Sequence, residues 1–133
     1  MRELLKVLLV TAIGLGAAAA AVIEGDTRTV VPPPESVVEQ FARHVAARRY
    51  DRALQHVDDE SGITLTTVRV AAEALHDRAG NIDQVEGDAG VMSGDRATAS
   101  AVLTTQRAGR IRYECRLERR NGVWKIAEWE EIP

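Results

Sequence analysis

The hydrophobic positions of this chain change period twice. Residues 1–23 hold an uncharged run from Val7 to Ile23, positions 34–80 carry apolar side chains at helical spacing, and positions 81–132 alternate. The alternation is clearest in RIRYECRLERR-NG-VWKIAEWEEI at 110–132, where Ile111, Tyr113, Cys115 and Leu117 interleave with Arg110, Arg112, Glu114, Arg116 and Glu118. Such a segment is a half-buried antiparallel strand, apolar on one face and charged on the other. Asn121-Gly122 between two alternating runs predicts a two-residue type I′ turn, because both central residues need positive φ. That turn sets the register, with Leu117 opposite Ile126 on the inner face and Glu118 opposite Lys125 on the outer one.

Two further strands are predicted upstream, Ile82–Met92 and Arg96–Arg107, with turns at Ser93-Gly94-Asp95 and Ala108-Gly109. Gly87 and Gly90 mark a bulge or bend in the first of them. On the last strand, strict alternation would turn Glu128 and Glu130 inward, near Cys115 and Tyr113, and leave Trp129 on the charged face. A bulge around Ala127-Glu128 reverses this. Burying one tryptophan is far cheaper than burying two unpaired carboxylates, so the bulge is expected and a Glu128–Tyr113 catalytic pair is not.

The helical stretch divides into three. Pro34 and Glu35 suit the first turn of a helix carrying Val37, Val38, Phe41 and Val45. Arg48-Arg49 breaks it, and Tyr50, Ala53, Leu54 and Val57 form a second, shorter stripe ended by the polar loop Asp58–Gly62. A third helix starts near Thr64–Thr67, carries Val68, Ala71, Ala72 and Leu75, and stops at Gly80. Three helices followed by a four-stranded meander define an α+β domain with helices covering one face of an antiparallel sheet.

The leader changes the picture from a free domain to an exported one. Arg2 and Lys6 precede the apolar run, and Glu24 and Asp26 follow it. As a helix its 17 residues would rise about 25 Å, and Leu4, Leu5 and a snorkelling Lys6 extend it toward the ~30 Å hydrocarbon core. Positive charge ahead of the run predicts a cytoplasmic N-terminus and an extracytoplasmic remainder. The competing reading is a cleaved signal peptide, with Val7–Leu15 as its apolar centre and the alanines 17–21 as its small-residue site. Val22 and Ile23 carry the apolar run past those alanines and favour a single-pass anchor held in the membrane through residues 4–23. Residues 24–34, with Pro32-Pro33-Pro34, form a semi-rigid linker, and residues 35–133 form the domain.

Composition narrows the chemistry. The chain has 17 Lys and Arg against 20 Asp and Glu; setting aside Arg2, Lys6 and Glu3 leaves 15 against 19 outside the leader. With no basic stripe and few aromatics, nothing points to nucleic acid. Cys115 is the one cysteine, so an intrachain disulfide and a cysteine metal site are excluded, and its apolar neighbours make it a small buried hydrophobe. His44 borders the apolar stripe of the first helix. His56 with Asp58, Asp59 and Glu60 has oxygen ligands but no calcium-loop spacing and reads as a solvated loop. His76-Asp77 reads as the exposed last turn of the third helix. No metal or cofactor motif is present.

The segments PPESVVEQFARHVAARRYDRALQHV and NGVWKIAEWEEI, flanking a meander, resemble the NTF2-like superfamily, in particular its small bacterial exported or membrane-anchored members of unassigned function. The resemblance covers roughly residues 33–132. Val38, Phe41, the run RRYDRAL at 48–54, and Trp124-Lys125-Ile126 carry it. It implies a cone in which a curved sheet wraps three helices around a cavity. The candidates to line that pocket are Phe41, His44, Tyr50, Tyr113, Cys115, Trp124 and Trp129. Fold alone does not give function. The expected function is a membrane-tethered, extracytoplasmic, non-catalytic domain that binds a partner protein or a small apolar ligand, as an accessory subunit of an envelope complex would. A polar homodimer through the outer sheet face is compatible with it. The alternative is a small cone-cavity enzyme of isomerase, dehydratase or hydrolase type, although no catalytic residue is assigned.

Overall fold

The computed structural model describes residues 31–133; the anchor or signal peptide expected at 1–23, and the linker as far as residue 30, lie outside the described residues. Among the described residues, no helix is long and apolar enough to cross a membrane.

Helix α1 spans Pro34–Ala46, α2 Tyr50–Leu54, a 3₁₀ turn Asp59–Ser61, and α3 Leu65–Ala79. Strands β1 (Ile82–Ser93), β2 (Arg96–Thr105), β3 (Arg110–Arg120) and β4 (Val123–Ile132) follow, forming one antiparallel sheet in the order β1-β2-β3-β4. Pro34 opens α1 at a position where its missing N–H costs nothing. The break after α1 is a Schellman closure made without glycine. Arg49 N–H donates to the His44 carbonyl at 2.8 Å and Arg48 N–H to that of Val45 at 3.0 Å, with Arg48 at φ 62°. Helix α3 starts at Thr64, whose Oγ1 accepts from Thr67 N–H at 3.2 Å, and ends at Gly80.

The hairpin has the predicted register. Leu117 faces Ile126 and Glu118 faces Lys125, with Asn121 at φ 52° and Gly122 at φ 81°. Between Arg116 and Leu117 the register shifts, leaving Ala127 as the extra residue. Trp129 therefore pairs with Cys115 on the inner face, while Glu128 and Glu130 face Arg116 and Glu114 on the outer one.

Of these two glycines Gly90 lies, with Val91, in a register shift of β1, and Gly87 stays in register with Ala101. A Cβ at Gly87 would strike the Glu35 carbonyl of α1, so this glycine is there for close approach. The Gly87 N–H donates to Glu39 Oε1 at 3.0 Å. Strand β2 ends at Thr105, two residues before the expected Arg107, because the Thr105 hydroxyl donates to the Gly109 carbonyl and accepts from Ala108 N–H. That closes the turn early.

Helix α1 lies across the inner face against β1 and β2 and reaches β4. Leu117, Ile126, Val38 and Val68 are the largest fully buried side chains, so the core lies between the sheet, α1 and α3. Val57 adds a short parallel bridge to Ile126 at the β4 edge, fixed by Asp58 N–H to the Ile126 carbonyl and Ile126 N–H to the His56 carbonyl, both 2.8 Å. On the outer face Arg116 pairs with Glu128 at 2.9 Å and with Glu118 at 2.8 Å, the laced polar surface that the alternation predicts.

Candidate functional site

Between α1, α3 and the inner sheet face lies a cleft of about 50 Å³. One wall is Val38, Phe41, Ala42 and Val45 of α1; the other is Val68, Ala71, Ala72 and Leu75 of α3. The floor is Ala101 and Leu103 of β2, Tyr113 and Cys115 of β3, and Trp129 of β4. The space exists because small residues meet where large ones would close it. Ala101 is a buried inward residue of β2 and lines the floor, and Ala71 and Ala72 of α3 and Ala42 of α1 line the same space. Phe41 and Trp129 pack with ring centroids 5.4 Å apart and planes tilted by 41°, a geometry that favours the edge-to-face attraction of two quadrupoles.

The lining has two titratable groups, and both are kept neutral. Burial pushes the Cys115 thiol up to about 12, so no thiolate nucleophile forms near neutral pH. Burial, then the nearby Glu131 carboxylate, raises the Tyr113 phenol above its ordinary value. Beyond the lining, Glu131 receives Arg78 Nη2 at 2.7 Å, Arg78 Nη1 at 3.1 Å and the Tyr113 hydroxyl at 3.4 Å. The Arg78 bonds hold its carboxyl below the usual range. A carboxylate clamped in this way is a poor proton acceptor.

Of the seven residues predicted to line a pocket, the structure brings Phe41, Tyr113, Cys115 and Trp129 together and places His44, Tyr50 and Trp124 elsewhere. His44 stacks on His56, with centroids 5.5 Å apart, and its Nδ1 accepts from Arg49 Nε at 3.4 Å. The helical spacing put it at the stripe margin, and the margin turns to the residues flanking α2. Tyr50 is buried with its hydroxyl unpartnered. Trp124 is buried in the hairpin beneath the Arg119 guanidinium, which lies 5.0 Å from its ring centroid.

Two further expectations are corrected. His76 is not exposed: it is 5 % accessible, and its Nε2 lies 3.1 Å from the Val45 carbonyl, so it ties α3 to the end of α1. Asp58 is not part of a solvated loop. Its carboxylate is buried and accepts from Arg120 Nη2 at 3.0 Å and from Glu60 N–H at 3.3 Å. Among the described residues, no group of three His, Cys, Asp or Glu side chains is placed to hold a metal ion.

Sequence reasoning missed Arg78 and Glu131. Both signals were present: Arg78 follows Leu75 by one turn of α3, and Glu131 follows the inward Trp129 by two residues of β4.

No protein-family model matches the chain, and no curated protein matches it. Solved structures do. A structure described as a putative NTF2-like transpeptidase from Campylobacter jejuni superposes with a TM-score of 0.59 at 12 % identity, covering 71 % of this chain and 97 % of that one. A SEC-C motif containing protein from Rhodopseudomonas palustris gives 0.57 at 16 %, covering 75 % and 79 %. A protein of unknown function with a cystatin-like fold from Nostoc punctiforme gives 0.54 at 14 %, covering 77 % and 93 %. The likeness is one of fold: three helices on a four-stranded antiparallel sheet, an α+β arrangement that fits an NTF2-like cone.

Proposed function

We propose that this chain is an exported, membrane-tethered domain of the NTF2-like kind that binds a small apolar ligand without catalysing its conversion. The carrying observation is the cleft's chemistry. Its walls are aliphatic and aromatic, and its two titratable groups are held neutral. The one acid at its margin is neutralised by an arginine. A general base needs a carboxylate or imidazole tuned to accept a proton; here the lining offers an apolar solute contact area and nothing to react with. The tether rests on the apolar run Val7–Ile23, flanked by Arg2 and Lys6 before it and by acids after it.

Two measurements test the reading. Titrating the full chain in lipid nanodiscs with a neutral apolar probe, isohexanol, should shift the amides of Val68, Ala101 and Cys115 saturably. Ala101→Leu, which fills the floor, should abolish the shifts while the fold persists. Shifts spread evenly over the surface would sink the ligand reading. For the tether, the chain should stay in the membrane pellet after an alkaline carbonate wash, and release into the supernatant would contradict it.

A further inference from the structure

The margin of the cleft holds a carboxylate site that the chain fills with its own side chain. Leu75 lines the cleft and Arg78 lies one turn further along the same face of α3. Trp129 lines it, and Glu131 lies two residues further on the same side of β4. Between them the Tyr113 ring belongs to the lining and its hydroxyl reaches Glu131. Three donors, two from the Arg78 fork and one from the phenol, thus converge on one carboxylate where the apolar wall gives out. The planar fork against two oxygens is the geometry by which arginine selects carboxylates. The pair is also open to solvent, with Arg78 50 % and Glu131 38 % exposed, so a dissolved anion can reach it and Glu131 can leave it without unpacking the core.

We propose that the cleft takes a small branched aliphatic carboxylate, its apolar end among Phe41, Cys115 and Trp129 and its carboxylate replacing that of Glu131 on Arg78 and Tyr113. The proposal rests on the apolar-cleft reading above and adds the head group. Size supports the class: about 50 Å³ is room for a handful of water-sized atoms at ~10–15 Å³ each, which suits an isobutyl-sized group and not a large ring system.

The test compares isocaproate with its alcohol, isohexanol, by amide-resolved titration of the full chain in lipid nanodiscs. The acid should bind about fivefold more tightly than the alcohol, the scale of one partly exposed charge-assisted contact. Arg78→Gln should bring that ratio to about one by weakening the acid alone. Glu131→Gln, which keeps the shape of the side chain and removes the competing charge, should tighten acid binding about fivefold and leave the alcohol unchanged. Equal binding of acid and alcohol that Arg78→Gln does not alter overturns the carboxylate assignment and leaves the apolar cleft standing. Binding of neither overturns the cleft reading and this assignment with it.

Discussion

Replacing Gly87 by alanine sets two effects of opposite sign against each other at one backbone position. In an unobstructed strand the change is favourable by about 0.4–1 kcal/mol, because alanine has less freedom to lose on folding. Here the added Cβ meets the Glu35 carbonyl, which is helix backbone, and the Glu39 Cβ at 3.0 Å. Neither is the far end of a flexible side chain, so α1 must shift. Overpacking of this kind costs about 1–3 kcal/mol, and displacing α1 also strains the bond from Gly87 N–H to Glu39, worth about 1 kcal/mol. The net expectation is a loss of about 2 kcal/mol, which lowers the urea midpoint by about 1–2 M for a domain of this size. The assay is urea unfolding of the detergent-solubilised full chain followed by tryptophan fluorescence. The chain has two tryptophans, Trp124 and Trp129, both in the sheet, so the signal reports this domain. Glu39→Ala, which removes the acceptor and inserts nothing, should cost less, about 1 kcal/mol. A Gly87→Ala midpoint at or above that of the parent would refute the packing of α1 on β1 described here.

Further outcomes are expected from the charged and titratable groups. Arg120→Ala leaves the buried Asp58 carboxylate with the backbone Glu60 N–H as its remaining donor, so the urea midpoint falls at neutral pH. Arg120 holds the Asp58 pKa below its ordinary 3.8, so its stabilisation is present above that value and lost as pH falls through the lowered one. The gap between parent and variant should therefore narrow in acid, and a gap independent of pH would contradict the pairing. His44 and His56 are held below 6.5, chiefly by burial and then by neighbouring cations: Arg49 and Arg52 for His44, His44 and Lys125 for His56. The unfolded chain therefore takes up their protons first, so stability is complete above about pH 6.5 and declines as pH drops through the folded values. Melting curves from pH 8 to pH 5, markers of that window, should show the decline, and His56→Gln should flatten it. Cys115, buried and with its pKa raised to about 12, should resist a thiol reagent until the domain is unfolded; rapid native labelling would contradict its burial.

Local signals carried most of the fold. Asn121-Gly122 located the hairpin to the residue because that pair readily takes the two positive-φ positions a type I′ turn needs. The bulge at Ala127 was legible from energetics, since the alternative stranded Trp129 outside and two carboxylates inside. Features that depend on what another element presents were not legible. Helical spacing places His44 at a stripe margin and His76 in the last turn of its helix, and does not say what covers either: His56 and Arg49, flanking α2, take the first, and the end of α1 takes the second. Asp58 looked like one of three exposed acids because its partner Arg120 is 62 residues away. The cleft was half legible. Its aromatic members follow from helical spacing and alternation, but the space itself lies beside Ala42, Ala71, Ala72 and Ala101, which meet only in the folded chain.

The cleft has its proposed role only if it is an accessible, apolar binding space. Xenon gas equilibrated with the full chain in nanodiscs and read by amide chemical shifts tests this without reference to head group or partner, because xenon occupies apolar cavities. The predicted result is a saturable response confined to Val68, Ala72, Ala101, Cys115 and their neighbours, lost in Ala101→Leu. A response absent from those residues, or unchanged when Ala101 is enlarged, would contradict it.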